Sequence, residues 1–359
     1  MNSRERFLST INGGIPDRPP LYLSFTPQSA GKVCKDIGLP YEQPIDSLLS
    51  TRISHKDLCM HLGTDSICIA ATPPSSQPTS TSEDGLITNE WGMVFIDAGL
   101  YNELYSFPLA QAETVKDIEK YPFFDPFDKS RFSLAYQTVR KHGESVGIIG
   151  DLECSIFETT WYLTGLEKFL MDMMMEKPYL EALLDRVAWI NTETGKELIR
   201  AGADIICCGD DFGTQQSLIM NINSWRKYFK PRIRKMFESF RSVNPEIKIA
   251  WHSCGSIVDL IPDFIDLGLD ILNPIQPKAA GMDPVRLKKE FSKDLIFFGG
   301  ICIQELLPNG TPQEIRNEVI RRADILGKDG GYIIAPAHNI QEDTPVENII
   351  AFTDAVKSL

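Results

Sequence analysis

The sequence predicts an α/β protein folded as a (β/α)8 TIM barrel. Eight short apolar runs recur along the chain, and most of them are separated by segments with helical spacing. The main alternative, an open doubly wound sheet, is less favoured because the chain has no glycine-rich nucleotide-binding loop. The chain has 359 residues, 43% of them hydrophobic, so we expect a single large domain over residues 1–359.

The predicted strands share a short apolar core bounded by turn residues. They cover residues 21–25, 65–70, 146–150, 204–208, 248–252, 269–273, 295–299 and 332–335. A loop rich in Ser, Thr and Pro at 72–84 and two predicted antiparallel strands at 89–96 and 101–107 interrupt this rhythm. We therefore expect a small β-hairpin excursion after the second strand, inserted at about 72–107.

Helical patterns fill most of the intervals between the predicted strands. We expect helices at 44–62, 109–121, 129–142, 160–175, 178–201, 223–243, 257–267, 283–291, 311–327 and 345–359.

The charge of the chain excludes some classes of partner. The net charge is −13 and the sequence pI is about 5.0, which argues against nucleic acid and against an anionic membrane surface. The N-terminus is polar, and no apolar run approaches the roughly 20 residues needed to span a bilayer. We therefore expect a cytoplasmic protein with no membrane association, whose eight cysteines are free thiols.

Polar side chains follow the predicted strands at their carboxyl ends, where the active site of such a barrel forms. The candidates are Asp151, Glu153, Cys154, Asp210, Asp211, Gln215, His252, Cys254, Asn273, Gln276, Cys302 and His338. Each has a simpler structural role as an alternative. A histidine at a strand end often only hydrogen-bonds at the surface, and paired aspartates often cap a helix.

A metal site is the sharpest hypothesis from these residues. His252 and Cys254 are two positions apart at the end of a strand, so their side chains point to the same side. Imidazole nitrogen and thiolate sulfur are ligands that zinc prefers. The third ligand is either His338 or Cys302. His55, His61 and His142 lie away from this rim in the predicted fold.

Several motifs resemble the uroporphyrinogen decarboxylase superfamily, and most closely its branch of methyltransferases that act on methylcobamide. They are His252-Ser253-Cys254-Gly255, Asn273-Pro274-Ile275-Gln276, Phe298-Gly299-Gly300-Ile301, and the segments at 335–340 and 344–348. In that branch a His-x-Cys pair and a later cysteine hold zinc. His252 and Cys254 match the pair, whereas the position of the later cysteine falls at or next to His338. The decarboxylase fits less well, because its arginine-bearing segment corresponds to residues 23–30, which contain no arginine.

The resemblance implies a zinc-dependent methyltransferase. It would move a methyl group between a corrinoid (methylcobamide), presented by a small corrinoid protein, and a small thiol or methylated substrate. We expect Asp210 and Glu153 to act in catalysis, and Gln276, Asn273 and Gln215 to bind substrate. The alternatives are a metal-independent lyase related to the decarboxylase, and a barrel that binds a small ligand or corrinoid without turnover. The excursion at 89–107 is a candidate interface for a homodimer, or a lid.

Overall fold

The protein is organised around a curled parallel sheet of seven strands. A computed structural model of the chain describes residues 1–45, 52–99 and 102–359. Its strands are β1 (Ser66–Ile69), β2 (Ser80–Thr81), β3 (Ile87–Thr88), β4 (Val94–Asp97), β5 (Asn102–Ser106), β6 (Gly147–Glu153), β7 (Ile205–Gly209), β8 (Lys248–His252), β9 (Ile271–Ile275), β10 (Ile296–Ile301) and β11 (Tyr332–Pro336). The parallel sheet has the order β1-β6-β7-β8-β9-β10-β11, so consecutive strands lie side by side.

The predicted strand at 21–25 is not a regular strand, which corrects the expected eight to seven. This segment makes two isolated parallel bridges, from Leu21 to Ile334 and from Phe25 to Ile340. Leu21 O also accepts a hydrogen bond of 2.7 Å from the backbone of Asp65, the residue before β1. The amide of Leu21 donates to the Asp65 carboxylate at 2.7 Å, and prolines lie on both sides of the segment, so its pairing stops at these two bridges.

The excursion after β1 is a separate four-stranded antiparallel sheet with the order β2-β3-β4-β5. The sequence suggested two longer strands in this region, and the structure has four short ones. Phe95 pairs with Leu104, and Asp97 pairs with Asn102. Residues 100–101, which include the start of the second predicted strand, lie outside the described residues. The buried side of this sheet shares an apolar cluster with Leu163 and with Tyr179, Leu183, Val187 and Ile190 of the long helix at 178–201.

Helices occupy most of the predicted intervals. They are α1 (Ser3–Ile11), α2 (Pro27–Ile37), α3 (Lys56–Leu62), α4 (Val115–Lys120), α5 (Ser133–His142), α6 (Phe157–Thr164), α7 (Leu166–Met174), α8 (Pro178–Ala201), α9 (Ile222–Tyr228), α10 (Lys230–Val243), α11 (Ile261–Leu267), α12 (Pro284–Phe291), α13 (Leu306–Asn309), α14 (Pro312–Arg322) and α15 (Val346–Lys357). In the described part of the chain, no helix has the length and apolar content required to cross a bilayer.

Several of the predicted helices are shorter or divided. The helix expected at 223–243 breaks at Phe229, because Pro231 has no amide hydrogen and its ring clashes with the preceding turn. The helix expected at 160–175 divides at Gly165, whose φ of +89° is outside the helical region. Only 56–62 and 115–120 are α-helical within the stretches expected at 44–62 and 109–121, and residues 46–51 lie outside the described part.

Alternation along the strands builds two layers of core. The outer layer lies between the sheet and the helices and includes Ile249 and Trp251 of β8. The inner layer lies inside the curled sheet and includes Ala250 of the same strand, together with Cys207 of β7. Because side chains two apart share a face of a strand, the residue after Trp251 points inward, toward the interior of the sheet.

Candidate metal centre and cavity

His252, the last residue of β8, is the inward-pointing residue set by that alternation, and only 3% of its side chain is exposed. Trp251, the residue before it, is fully buried on the outer side and stacks on Phe212 with ring centroids 6.1 Å apart. An aromatic cluster between the sheet and α9–α11 therefore fixes the end of β8, and with it the imidazole of His252. In the loop immediately after the strand, Cys254 is partly exposed.

The structure brings together His252, Cys254 and His338, as the sequence suggested. One ligand atom from each lies within 4.8 Å of the other two, and these three residues form the one such group of His, Cys, Asp and Glu within residues 1–45, 52–99 and 102–359. The distance from His252 Nε2 to Cys254 Sγ is 3.5 Å. A tetrahedral zinc with ordinary Zn–N and Zn–S bonds separates such a pair by about 3.6 Å. The donor atoms and their spacing therefore fit zinc.

The other ring nitrogen of His252 has two neighbours. Nδ1 lies 2.7 Å from Asn273 Oδ1 and 2.9 Å from a guanidinium nitrogen of Arg52. Binding of a metal at Nε2 requires the hydrogen to be on Nδ1, where it can be donated to Asn273. Burial, followed by the nearby charge of Arg52, lowers the pKa of His252 to about 3, so the imidazole is neutral and in the form that binds metals.

Arg52 is a site residue that the sequence analysis did not find. Its guanidinium contacts Glu153 Oε1 at 3.0 Å and Asp151 Oδ1 at 3.3 Å. Burial alone would lower the pKa of Arg52, but Glu153 and Asp151 hold it well above the usual value, so the group is charged. Arg52 comes from a segment expected to be helical, far from any strand end, and no local pattern of the sequence distinguishes it.

Carboxylates surround the cysteine of the group. Asp211 Oδ1 accepts a hydrogen bond of 2.6 Å from the backbone of Cys254, and both Asp211 and Glu153 lie 3.7 Å from His252 Nε2. Burial, and then the charges of Asp211 and Glu153, raise the pKa of Cys254 well above its usual value. A bound dication would offset these negative charges and favour the thiolate. This electrostatic arrangement is a second observation that fits a metal.

Glu158, in the first turn of α6, is another residue that sequence reasoning missed. Its carboxylate accepts hydrogen bonds of 3.1 Å from the Tyr162 hydroxyl and from the backbone of Asp211. Burial, together with Asp211, Asp210 and Glu153, raises the pKa of Glu158 well above its usual value. Its position in a helix, rather than at a strand end, is why the strand-end rule did not include it.

Asp210 is fully buried and faces the start of α6. Its carboxylate accepts hydrogen bonds from the backbone of Ile156, at 3.0 and 3.1 Å, and of Glu158, at 2.9 Å. Burial raises the pKa of Asp210 to about 7, although these amide hydrogen bonds act in the opposite direction. Asp210 thus caps α6, the helix after β6, although Asp210 itself follows β7.

The remaining predicted residues fall into three groups. Asn273 contacts the metal candidate His252, as described, and Gln276 Oε1 accepts a hydrogen bond of 2.7 Å from the backbone of Gly255. Cys302 is buried at the edge of a cavity and is not part of the metal group, which we define as His252, Cys254 and His338. Gln215 is exposed, and its backbone carbonyl accepts a hydrogen bond from Ala280; it is not among the residues lining the cavity.

A cavity of about 1030 Å³ opens over the carboxyl ends of the strands. His338, Glu153, Asp211 and Gln276 line it on the side of the parallel sheet, and β4 and β5 of the antiparallel sheet close the opposite side. His338 also lines a much smaller cavity of about 20 Å³ below, which contains Arg52 and His252. The metal group therefore lies at the base of a cavity that is large enough for a small substrate.

Comparison with known proteins identifies the family. The family model described as uroporphyrinogen decarboxylase matches residues 107–359, so the chain belongs to this family. It is 23% identical over 226 residues to the methylated-thiol–coenzyme M methyltransferase of Methanosarcina mazei, which covers 62% of this chain and 56% of that protein. The chain thus spans just over half the length of this curated relative.

A solved structure, a methyltransferase from Methanosarcina mazei, has the same fold. It superposes with a TM-score of 0.74 at 18% sequence identity, and the match covers 100% of this chain and 99% of that one. The resemblance seen in the sequence is therefore confirmed for the superfamily, and both of these similar proteins are named as methyltransferases.

Proposed function

We propose that this protein is a zinc-dependent methyltransferase that moves a methyl group between a corrinoid and a small thiol or methylated substrate. The corrinoid is presented by a small partner protein that docks over the mouth of the cavity. The observation that carries the proposal is the group of His252, Cys254 and His338, which has the donor types and spacing of a zinc site at the base of the cavity. The relatives named as methyltransferases support this choice of chemistry.

Zinc held by these three side chains would lower the pKa of a thiol that enters its open position. In the transfer, the substrate sulfur forms a bond to the methyl carbon and the thiol proton is released. The cobalt–carbon bond of a methylcorrinoid donor would break with its electron pair remaining on cobalt, so the corrinoid would leave as cob(I)alamin. The reverse direction removes a methyl group from a methylated substrate.

The surrounding residues have distinct roles in this proposal. Glu153, 3.7 Å from His252 Nε2, accepts the thiol proton, and Arg52 holds its carboxylate in place. Asn273 fixes the tautomer of His252. Gln276 holds the loop of Cys254 through Gly255 and presents its side chain to substrate. Asp210 acts through position, since it anchors the first turn of α6 rather than contacting the cavity.

The charge of the cavity argues against decarboxylation of a substrate with many carboxylates. Such a substrate needs several cationic partners. Among the described residues that line the larger cavity, Lys278 is the one lysine or arginine, and it is paired with Glu305 at 2.5 Å. The methyltransferase therefore remains the better-supported function.

The proposal is tested by metal content and by methyl transfer. Zinc is measured by mass spectrometry in the wild type and in Cys254→Ala, His338→Ala and Cys302→Ala. We expect close to one zinc per chain, lost in the first two variants and retained in Cys302→Ala, whose thiol lines the same cavity outside the metal group. Transfer from methylcobalamin to thiols is then followed by the absorbance change of the corrinoid.

Each alternative result has a definite meaning. Zinc that is lost with Cys302→Ala and retained with His338→Ala would make Cys302 the third ligand and give His338 a role in substrate binding. A protein purified without chelator that contains no zinc would refute the metal-dependent reading. Full zinc content without methyl transfer to any thiol would leave the metal site standing and remove the proposed reaction.

A further inference from the structure

The walls of the cavity carry far more negative than positive charge. Five carboxylates line it, from Asp97, Glu103, Glu153, Asp211 and Asp343, beside the buried Glu158, whose raised pKa favours the neutral form. Lys278, the one cationic residue in the described lining, is already paired with Glu305 at 2.5 Å. A pocket lined by one sign of charge concentrates ligands of the opposite sign and rejects those of the same sign.

A metal at the base accounts for only part of this charge. Glu153 and Asp211 are the carboxylates within 3.7 Å of His252 Nε2. In contrast, Asp97 and Glu103 come from β4 and β5, and Asp343 comes from the loop after β11. Asp97 and Glu103 belong to a sheet separate from the loops that supply the metal ligands, whereas Asp343 lies in the loop that also carries His338. These three acids constitute a second acidic wall, which we call the outer wall (Asp97, Glu103 and Asp343).

Aromatic side chains lie on the same cavity. Trp161 and Tyr162 of α6 are partly exposed and pack against each other with ring centroids 4.1 Å apart at 76°. Phe95 of β4 lines the cavity as well. Aromatic faces beside carboxylates attract organic cations, and they attract methylated ammonium groups particularly well, because such groups are weakly hydrated.

We propose that the substrate of this site is a small sulfur compound that also carries a positively charged amino or methylated ammonium group. The sulfur lies at the metal group, and the cation lies between the outer wall and Trp161. This inference rests on the proposed methyltransferase function for the sulfur end of the substrate. The cation end rests on the lining of the cavity alone.

Three thiols of similar size and different charge test the proposal. They are cysteamine, which is a cation, mercaptoethanol, which is neutral, and mercaptoacetate, which is an anion. Each is supplied as methyl acceptor with methylcobalamin as donor, and kcat/KM is measured for the full chain. We expect cysteamine to exceed mercaptoethanol by about tenfold, the size of one well-placed cation–π or charge contact, with mercaptoacetate slowest.

Variants of the outer wall locate the effect. Asp97→Asn and Glu103→Gln should each reduce the ratio of kcat/KM for cysteamine to kcat/KM for mercaptoethanol. The control is Glu238→Gln, which removes the same charge from an exposed position on α10 away from the cavity, and it should leave the preference unchanged. Equal activity with all three thiols, or a preference for mercaptoacetate, would overturn the proposal.

Binding of tetramethylammonium separates this inference from the proposed reaction. This cation has no sulfur, so its binding to the purified full chain does not depend on methyl transfer. Calorimetry should detect binding that weakens in Asp97→Asn and in Glu103→Gln and stays unchanged in Glu238→Gln. Such binding without methyl transfer to any thiol would support the cation site and refute the reaction. No binding of tetramethylammonium would refute the cation site, whatever the activity.

Discussion

The hydrogen bond from His252 to Asn273 gives a quantitative prediction about metal affinity. Asn273→Leu keeps a side chain of similar shape and removes the acceptor that lies 2.7 Å from His252 Nδ1. The neighbour that remains at Nδ1 is Arg52, at 2.9 Å, which can only donate. The hydrogen of the imidazole is then favoured on Nε2, the atom that faces Cys254, and this tautomer cannot bind a metal there.

The size of the effect follows from the loss of one such supporting contact. Removing the hydrogen-bond partner of a ligating histidine costs about 10- to 100-fold in metal affinity, which is about 1.4–2.7 kcal/mol. We therefore expect Asn273→Leu to weaken zinc binding by this factor. Affinity is measured by competition with a chromophoric chelator, and the far-UV and near-UV circular dichroism spectra establish that the variant is folded.

The control for this prediction is Asn273→Asp, which retains an acceptor at the same position and should bind zinc at least as well as the wild type. If Asn273→Leu bound zinc with wild-type affinity, then Asn273 would not set the tautomer of His252. That result would also mean that Arg52 does not draw the imidazole hydrogen away from Nδ1 when the Asn273 acceptor is absent.

Three further predictions concern stability and the support of the site. Burial lowers the pKa of His55 to about 4, so the unfolded chain binds more protons below pH 6.5, and stability falls as the pH drops from about 6.5 to 4. In urea titrations at pH 7 and pH 5, His55→Asn, which tolerates the positive φ there, should reduce this loss by about 2 kcal/mol. Gly209→Ala should destabilise the protein by about 1–3 kcal/mol and lower its zinc content, because the new Cβ would lie 2.6 Å from His252 O and 2.7 Å from its Cβ. Phe212→Ala should cost about 3–5 kcal/mol in chemical unfolding, since the fully buried ring stacks on Trp251.

Each of these three predictions has a control variant or a result that would contradict it. Gly195→Ala is the control for Gly209→Ala: its Cβ would meet the ring of Phe240 at 2.5 Å, so it should destabilise the protein and leave zinc bound. Full zinc content in Gly209→Ala would mean that the absence of a side chain at position 209 is not needed to position His252. An unchanged pH dependence in His55→Asn would mean that other groups account for the loss of stability at low pH. A loss of less than about 1 kcal/mol in the free energy of unfolding of Phe212→Ala would mean that the aromatic cluster does not stabilise the end of β8.

The parallel sheet and the metal group could be predicted from sequence because both follow from local patterns. Side chains along β8 point alternately to the two faces of the sheet. The alternation that builds the core therefore also directs His252 inward, with Cys254 two positions later. The segment predicted as a strand at 21–25 forms two isolated bridges instead of a ladder, and the carboxylate of Asp65 takes the Leu21 amide. The helix predicted at 223–243 breaks before Pro231, which has no amide hydrogen.

The rest of the site depends on contacts between distant parts of the chain. Arg52 reaches His252 across 200 positions in sequence, and no periodicity or motif around it indicates this contact. Asp210 occurs at a strand end like a catalytic acid, but its carboxylate is used by backbone amides of another segment. Glu158 lies in a helix, so a rule based on strand ends does not include it. Such placements are decided by tertiary packing, which a local pattern does not encode.

The antiparallel sheet formed by β2–β5 has a consequence for how this protein could diversify. It supplies Asp97 and Glu103 to the cavity, whereas the metal candidates all lie at or after position 252. The match to the family model begins at residue 107, immediately after β5. Two acids of the proposed cation site and the candidate metal ligands are thus encoded in separate stretches of the gene. An exchange of the segment at 72–107 between relatives would change which molecule enters while leaving the reactive end of the site intact.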